Sequence, residues 1–467
     1  MIRTSPMPYD EACVAPGVPR AHCALLMDEL RGTDLAALSA GAARVMTDLG
    51  VTFGAGHDAP AFLIDPVPRL IAADEWEVLS AGIDQRVRAL NSFVVDAYGP
   101  RAIVAGGVMS DQVIDHAQGY EPQLRGRLPA GVLPIPVAGL DVVRDQGGEL
   151  LVLEDNCRAP SGFAYALALR QAVNAVLPLP ALPRRDIAGP VAELMGGVLR
   201  DAAPAGVTDP FTVLLSDGPA NVAAWEHQHL AALTGATLVT FDALERRGTR
   251  LHARRHDGGT RPVDVLYRRC DEDRLRDQDG RPTRLAQLLL EPWASGTLGL
   301  VNGLGSGVAD DKLVHAFVEE MIRFYLGQEP LLPSVPTLDL GRPERLEEVL
   351  DDLEGFVIKP RGGYGGHGVV VCVHADQDTR EEVRAMLRSD PRGHVAQRTV
   401  TLSCLPTIVD GGRLQSRHVD LRPFTFSGRG WTRTLPGGLT RVALDEGALV
   451  VNSSQDGGAK DTWVLTP

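Results

Sequence analysis

Residues 357–373 run Val-Ile-Lys-Pro-Arg-Gly-Gly-Tyr-Gly-Gly-His-Gly-Val-Val-Val-Cys-Val, a glycine-rich loop with a β-branched run on each side. That context decides what the glycines can do. Gly363-x-Gly365-x-x-Gly368 has the spacing of the dinucleotide fingerprint. The fingerprint needs a helix to follow, so that the helix N-terminus holds the pyrophosphate, and here a strand follows. The Walker pattern G-x-x-x-x-G-K-[ST] is absent. Two strands joined by a glycine loop instead make a flap whose backbone N–H groups can cover phosphates. Lys359, at the end of the first strand, would then reach phosphate oxygens. The same residues also describe a plain hairpin with a loose turn and a solvated lysine.

Lysine usage sharpens the reading. Lys312, Lys359 and Lys460 are the only lysines among 46 basic residues. Such a bias replaces lysine with arginine wherever either will serve. The survivors then mark places where a planar guanidinium cannot stand in for a compact ammonium, as at a tight phosphate site.

The rest of the composition narrows the class. With 44% apolar and 23% charged residues over 467 positions, the chain is globular and long enough for two to four domains or subdomains. The net charge of −14 makes nucleic acid and anionic membrane poor partners. Cys13, Cys23, Cys157, Cys270, Cys372 and Cys404 form no C-x-x-C pair, which argues against a zinc ribbon or redox dithiol. No apolar run reaches the length of a membrane span, and MIRTSPMPYDEA lacks the apolar segment of a signal peptide. A soluble cytoplasmic protein is expected.

Along the chain, residues 1–60 read as helical and then loop-like, and 68–97 carry apolar residues at helical spacing up to the stop Tyr98-Gly99-Pro100. GLDVVRDQGGELLVLEDN reads as strand, turn and strand. The proline-rich stretch 176–190 looks like a link between subdomains. FTVLLSDGPAN, the helix after it and TLVTF suggest a βαβ unit, and RPVDVLYRRCDED adds another strand. Residues 309–327 are expected to form one helix capped by aspartates. From 393 onward an antiparallel sheet is expected.

Several carboxylates sit where chemistry could use them. Strand alternation puts Glu154 and Asn156 on one face and Asp155 on the other, and a carboxylate beside an amide oxygen suits Mg²⁺. Asp420 lies in Arg417-His418-Val419-Asp420-Leu421-Arg422, sharing a face with His418 and Arg422. Solvated strand faces with salt bridges would look the same. Arg268, Arg269 and Asp271, with Asn221 and Glu226, fall at strand ends of the βαβ unit, where ligands bind in such folds. Two arginines there would suit a carboxylate; a structural ion-pair cluster fits equally.

Taken together, YGPR (98–101), EDNCRAPSG (154–162), SDGPANVAAWEH (216–227), VDVLYRRCDED (263–273), GSGVADDK (305–312), EEMIRFYLGQEPLLPSVPT (319–337), VIKPRGGYGGHGVVV (357–371), RHVDLRPF (417–424) and VVNSSQDGGAKDTWVL (450–465) resemble the circularly permuted type 2 group of the ATP-grasp superfamily. In ordinary ATP-grasp ligases the E-x-N motif comes last. Here it comes first, at 154–156, as a circular permutation would produce, and that requires the two ends of the chain to meet in one sheet. The fold class implied is α/β and α+β, with a Rossmann-like substrate subdomain and a mixed or antiparallel nucleotide-binding sheet. The divisions expected are 1–60, 61–200 with E-x-N, 205–305 as the Rossmann-like part, 306–390 with the lysines and glycine loop, and 391–467 with the metal aspartate.

The resemblance implies the roles. Lys312 and Lys359 look like the paired phosphate lysines, and Gly362, Gly363, Tyr364, Gly365, Gly366, His367 and Gly368 like the phosphate-covering loop. Gln397 would sit at the adenine hinge; the next residue, usually acidic in similar sequences, is Arg398 here. Asp420, Glu154 and Asn156 look like Mg²⁺ ligands, and Arg422 and Arg158 like positive groups for the transferred phosphoryl and the acyl intermediate. Lys460 would reach phosphate or the acceptor. The activity implied is an ATP- and Mg²⁺-dependent ligase joining a carboxylate to an amine through an acyl phosphate, its partners a small-molecule or peptide acid and amine. A kinase-like phosphotransferase and a non-catalytic nucleotide-binding scaffold are the alternatives; the acid, the amine and homo-oligomer formation stay open.

Overall fold

A computed structural model describes residues 7–56, 59–254, 258–363, 367–409, 412–444 and 457–467. Its largest sheet is built from both ends of the chain. Val137–Arg144 is buried at all eight positions, so it must lie inside a sheet covered on both faces. Leu150–Asn156 folds back on it antiparallel, as the Gly-Gly turn predicts. On its other edge come strands from the far end of the sequence: Leu421 of Arg413–Arg422 pairs with Val142, and Phe424–Gly428 pairs with Val137 to Gly139. Leu439–Val442 and then Gly458–Val464 extend the sheet, and Gly458–Val464 runs parallel to Arg69–Ile71. Among the described residues this sheet has nine strands. The meeting of chain ends that the permuted motif order demands is therefore present.

Thr212–Leu215, Val265–Arg268, Gly299–Val301 and Thr237–Val239 form a separate four-stranded parallel sheet, with the helix Ala224–Thr234 as crossover. This is the expected Rossmann-like unit. A second four-stranded sheet runs Thr337–Asp339, His394–Arg398, Phe356–Pro360 and Val370–Val371, all neighbours antiparallel. Helices Pro343–Asp351 and Gln377–Ser389 bury Val349, Leu350, Val383 and Leu387 against Phe356 and Ile358. The glycine loop thus joins two paired strands, in the register Val357 to Val371 and Ile358 to Val370.

Three local expectations change. The helix expected over 68–97 starts at Ala73, because Arg69–Ile71 is drawn into the large sheet and Arg69 pairs with the buried Glu11 at 2.7 Å. The stretch 176–190 is not a link between subdomains: Leu179 and Leu182 are buried with Trp463 in one core, and the Arg185 amide donates to the Val464 carbonyl at 2.9 Å. The single helix expected at 309–327 is broken near its start: a tight turn at Ser306–Asp310 leads into a short helix Lys312–His315, and helix resumes over Val318–Met321 and, with a wider turn, Ile322–Leu326. Asp311 caps the second piece, accepting from the Leu313 and Val314 amides at 2.9 and 3.2 Å, and binds Arg361 at 2.9 Å. That anchor fixes Lys312 at the start of a helix, beside the glycine loop. No helix among the described residues is long and apolar enough to cross a membrane.

Candidate functional site

A cleft of about 740 Å³ opens between the three sheets. Its walls come from segments hundreds of positions apart, including Glu154, Asn156, Arg158, Arg268, Lys312, Lys359, Gln397, Asp420 and Arg422. Val143, Leu153, Val357, Val369, Val371, Val400 and Leu402 add an apolar stretch beside Gln397.

Lys312 projects from the broken helix to Glu154 at 3.0 Å and donates to the Gly363 carbonyl at 3.1 Å. Lys359, half-buried at its strand end, donates to Gln397 Oε1 at 2.6 Å. Gln397 is itself fixed by donating to the Leu153 carbonyl and Thr337 Oγ1 at 3.1 and 3.0 Å. Desolvation brings the Lys359 ammonium down to about 8, with Glu154 opposing the shift and Lys312 adding to it. Two ammonium groups at one wall, only partly neutralised, make a site for an anion.

Strand alternation orients the E-x-N side chains. Glu154 and Asn156 face the cleft while Asp155 turns away into a buried cluster, accepting from Arg86 at 2.7 and 2.9 Å and meeting His315 Nδ1 at 2.7 Å. Burial opposes the Asp155 charge, but Arg86 and His315 outweigh it and hold the carboxyl well below the usual range. The strand is thereby pinned from behind.

Asp420 enters the same cleft from Arg413–Arg422, next to a charge cluster the sequence did not disclose. Arg441 grips Asp420, its Nε donating to Oδ1 at 2.8 Å, and reaches Asp141 Oδ2 at 2.9 Å. Arg422 forks onto Asp141 at 2.6 and 2.9 Å. Burial works against the Asp141 charge, yet the two guanidiniums hold it at about 2. Burial pushes Asp420 up, and Arg441 offsets only part of that. In the sequence Asp141 and Arg441 each read as a single charge in an apolar strand, and the aspartate inside GLDVVR is the one local signal of the cluster.

The donor set suits a hard cation. Glu154, Asn156 and Asp420 offer two carboxylates and an amide oxygen on the wall of one cleft. Among the described residues no three His, Cys, Asp or Glu side chains converge into a ready-made cage. A sparse oxygen set of this kind fits Mg²⁺, which keeps waters and takes phosphate oxygens rather than filling an all-protein site.

The other residues that the sequence singles out divide between cleft and scaffold. Arg158 lines the cleft, its Nε donating to Asp310 at 2.9 Å while its Nη1 pairs with Asp273. Arg268 and Asp271 also line it. Arg269, Glu226 and Asn221 are buried and spent on structure. Arg269 donates to Glu226 at 3.1 Å and to the Pro160 carbonyl at 2.6 Å. Glu226 accepts from the Gly162 amide at 2.8 Å. Asn221 donates to Asp217 and Asp271 at 3.1 and 2.9 Å. Gly363 and His367 line the cleft, whereas Gly362 and Gly368 do not. A Cβ at Gly362 would overlap the Gln118 amide, and one at Gly368 would crowd Pro360. Tyr364, Gly365 and Gly366 lie outside the described residues.

Lys460 is a correction. It lies in Gly458–Val464, fully enclosed, pairing with Asp65 and donating to the Pro406 and Val67 carbonyls at 3.0 and 3.2 Å. It faces the sheet interior and reaches neither phosphate nor acceptor.

The family described as "Circularly permuted ATP-grasp type 2" matches residues 68–443. An uncharacterised protein of Synechocystis sp., sll0335, is 39% identical over 98% of this chain and 97% of its own length. The Mycobacterium tuberculosis protein Rv2411c, also uncharacterised, is 39% identical over 99% of this chain and 84% of its own. A Frankia alni protein named "Putative glutamate--cysteine ligase 2-3" is 41% identical over 99% of this chain, which spans 54% of that longer polypeptide.

Proposed function

Because the chain belongs to the circularly permuted ATP-grasp type 2 family, we propose that it is an ATP-dependent carboxylate–amine ligase that forms an amide and releases ADP and phosphate. The observation that carries this reading is the convergence of Lys312, Lys359, Glu154, Asn156, Asp420 and Arg422 on one cleft. The Frankia name supports the ligase class; the chain matches about half of that protein, so its two substrates are not carried over.

In this reading Lys312 and Lys359 hold the phosphates and the apolar wall beside Gln397 takes the base. Arg398 lines the same end, tied to Glu348 at 2.8 Å, where similar sequences carry an acidic residue. Mg²⁺ held by Glu154, Asn156 and Asp420 would neutralise charge on the phosphoryl oxygens. A substrate carboxylate oxygen attacks the terminal phosphorus, and the bond to the ADP oxygen breaks. Arg422, held rigid by Asp141, and Arg158, held by Asp310 and Asp273, supply fixed positive charge for the developing negative charge. The amine then attacks the acyl carbon, phosphate leaves, and the nitrogen gives up its proton to solvent. The glycine loop beside Lys312 excludes water, which would otherwise hydrolyse the acyl phosphate.

ADP release is measured with Mg²⁺, ATP and pooled acids and amines, and the product is weighed. Release that needs both co-substrates, with a product lighter than their sum by one water, supports the ligase. A product heavier than one substrate by a phosphoryl group replaces it with a phosphotransferase.

A further inference from the structure

Opposite charges left unmatched at one end of the cleft have no structural use. Arg268 ends the strand Val265–Arg268, is 3% exposed, and lines the cleft. Among the described residues its guanidinium makes no hydrogen bond and no ion pair, and its Nε is enclosed without a partner. Its neighbours are different: Arg269 is taken by Glu226, and Arg158 by Asp310 and Asp273. A guanidinium withdrawn from water is retained where something outside the fold completes it. The planar fork matches a carboxylate bidentately.

The rim beside it has the opposite sign. Asp271 follows Arg268 by three positions and lines the cleft. Asn221 bridges Asp271 and Asp217, donating to both, and the Asp271 amide donates to Asp217 at 2.8 Å. Two carboxylates are thus held together by one amide, and neither has an ion-pair partner among the described residues. Burial and then the Asp217 charge push the Asp271 carboxyl up, the sign of a place that wants a cation.

We propose that this end of the cleft binds a free amino acid, its carboxylate on Arg268 and its ammonium on Asp271, beside which Asp217 adds negative charge. This deepens the ligase reading by naming the chemical class of one substrate, and rests on that reading only for the substrate's fate. A simple acid would leave the aspartates uncompensated, and a simple amine would leave Arg268 so. Only a zwitterion answers both.

The twenty standard L-amino acids are titrated singly into the full chain by calorimetry, with and without a non-hydrolysable ATP analogue and Mg²⁺. Their N-acetyl and carboxamide derivatives are titrated alongside. At least one amino acid is expected to bind, with each derivative weakened tenfold or more. Arg268→Gln and the rim variant Asp271→Asn are each expected to weaken the amino acid at least tenfold. Arg268→Lys is expected to restore part of that loss, which a merely structural arginine would not show. Absence of binding across the set, equal binding of the N-acetyl derivative, or unchanged affinity in both variants overturns the proposal. ATP–Mg²⁺ is titrated separately into the wild-type chain. Failure there removes the ATP-dependent reading and leaves the amino-acid site standing.

Discussion

Lys359 and Lys460 came from the same sequence signal and have opposite uses. The scarcity of lysine marks positions where a guanidinium does not fit, and two geometries satisfy that. At Lys359 the ammonium meets a cleft; at Lys460 it fills a closed socket between Asp65 and two carbonyls. The signal reports compactness, not chemistry, and only the enclosing strands separate the cases. Lys460→Met should therefore cost about 3–5 kcal/mol in urea unfolding, because Asp65 is left buried without its partner, while ATP affinity of the folded fraction stays unchanged. Lys359→Met should instead weaken ATP about 10- to 100-fold, the scale of one or two charge-assisted hydrogen bonds. The free Lys359 ammonium titrates at about 8, and bound phosphate would raise that value. Protons are then held more tightly in the complex, so ATP affinity should be full below about pH 8 and fall as pH rises through it. Calorimetric titrations on both sides of that value check the sign, and the Lys359→Met variant should lose the dependence.

At the scale of elements, strand patterns were legible and helix continuity was not. Period-two alternation correctly separated Glu154 and Asn156 from Asp155, and β-branched runs located both strands around the glycine loop. The segment 309–327 has helical periodicity throughout, yet tertiary contacts break it: Asp311 is claimed by Arg361 and by its own capping role. Nothing local in the sequence announces an arginine fifty positions away. The turn just ahead of this segment, Ser306–Asp310, is held by close backbone approach. A Cβ at Gly119 would overlap the Gly307 backbone, and one at Gly307 would press on the Arg158 side chain. Gly119→Ala should cost about 1–3 kcal/mol by overpacking. It should also lower the rate of ADP release, because the displaced turn carries Asp310, which holds Arg158. A thermal melt paired with the rate at saturating ATP checks both halves.

For the whole molecule, the permuted order of motifs made a topological demand, and the large sheet meets it. Strands from residues 137–156 and 413–464 interleave, and Gly458–Val464 closes onto Arg69–Ile71. All seven residues of that last described strand are buried, with Trp463 fully enclosed against Leu70 and Val442 in one core. Trp463→Ala should cost about 3–5 kcal/mol and unfold both chain ends in one transition, read by urea denaturation with fluorescence and circular dichroism together. In the proposed reading these interleaved segments surround a single nucleotide site. Titrating ATP–Mg²⁺ into the wild-type chain, Glu154→Gln and Asp420→Asn tests it most directly. Saturable binding that weakens tenfold or more in each variant is expected. Tight binding untouched by Glu154→Gln and lost only in Asp420→Asn would contradict it.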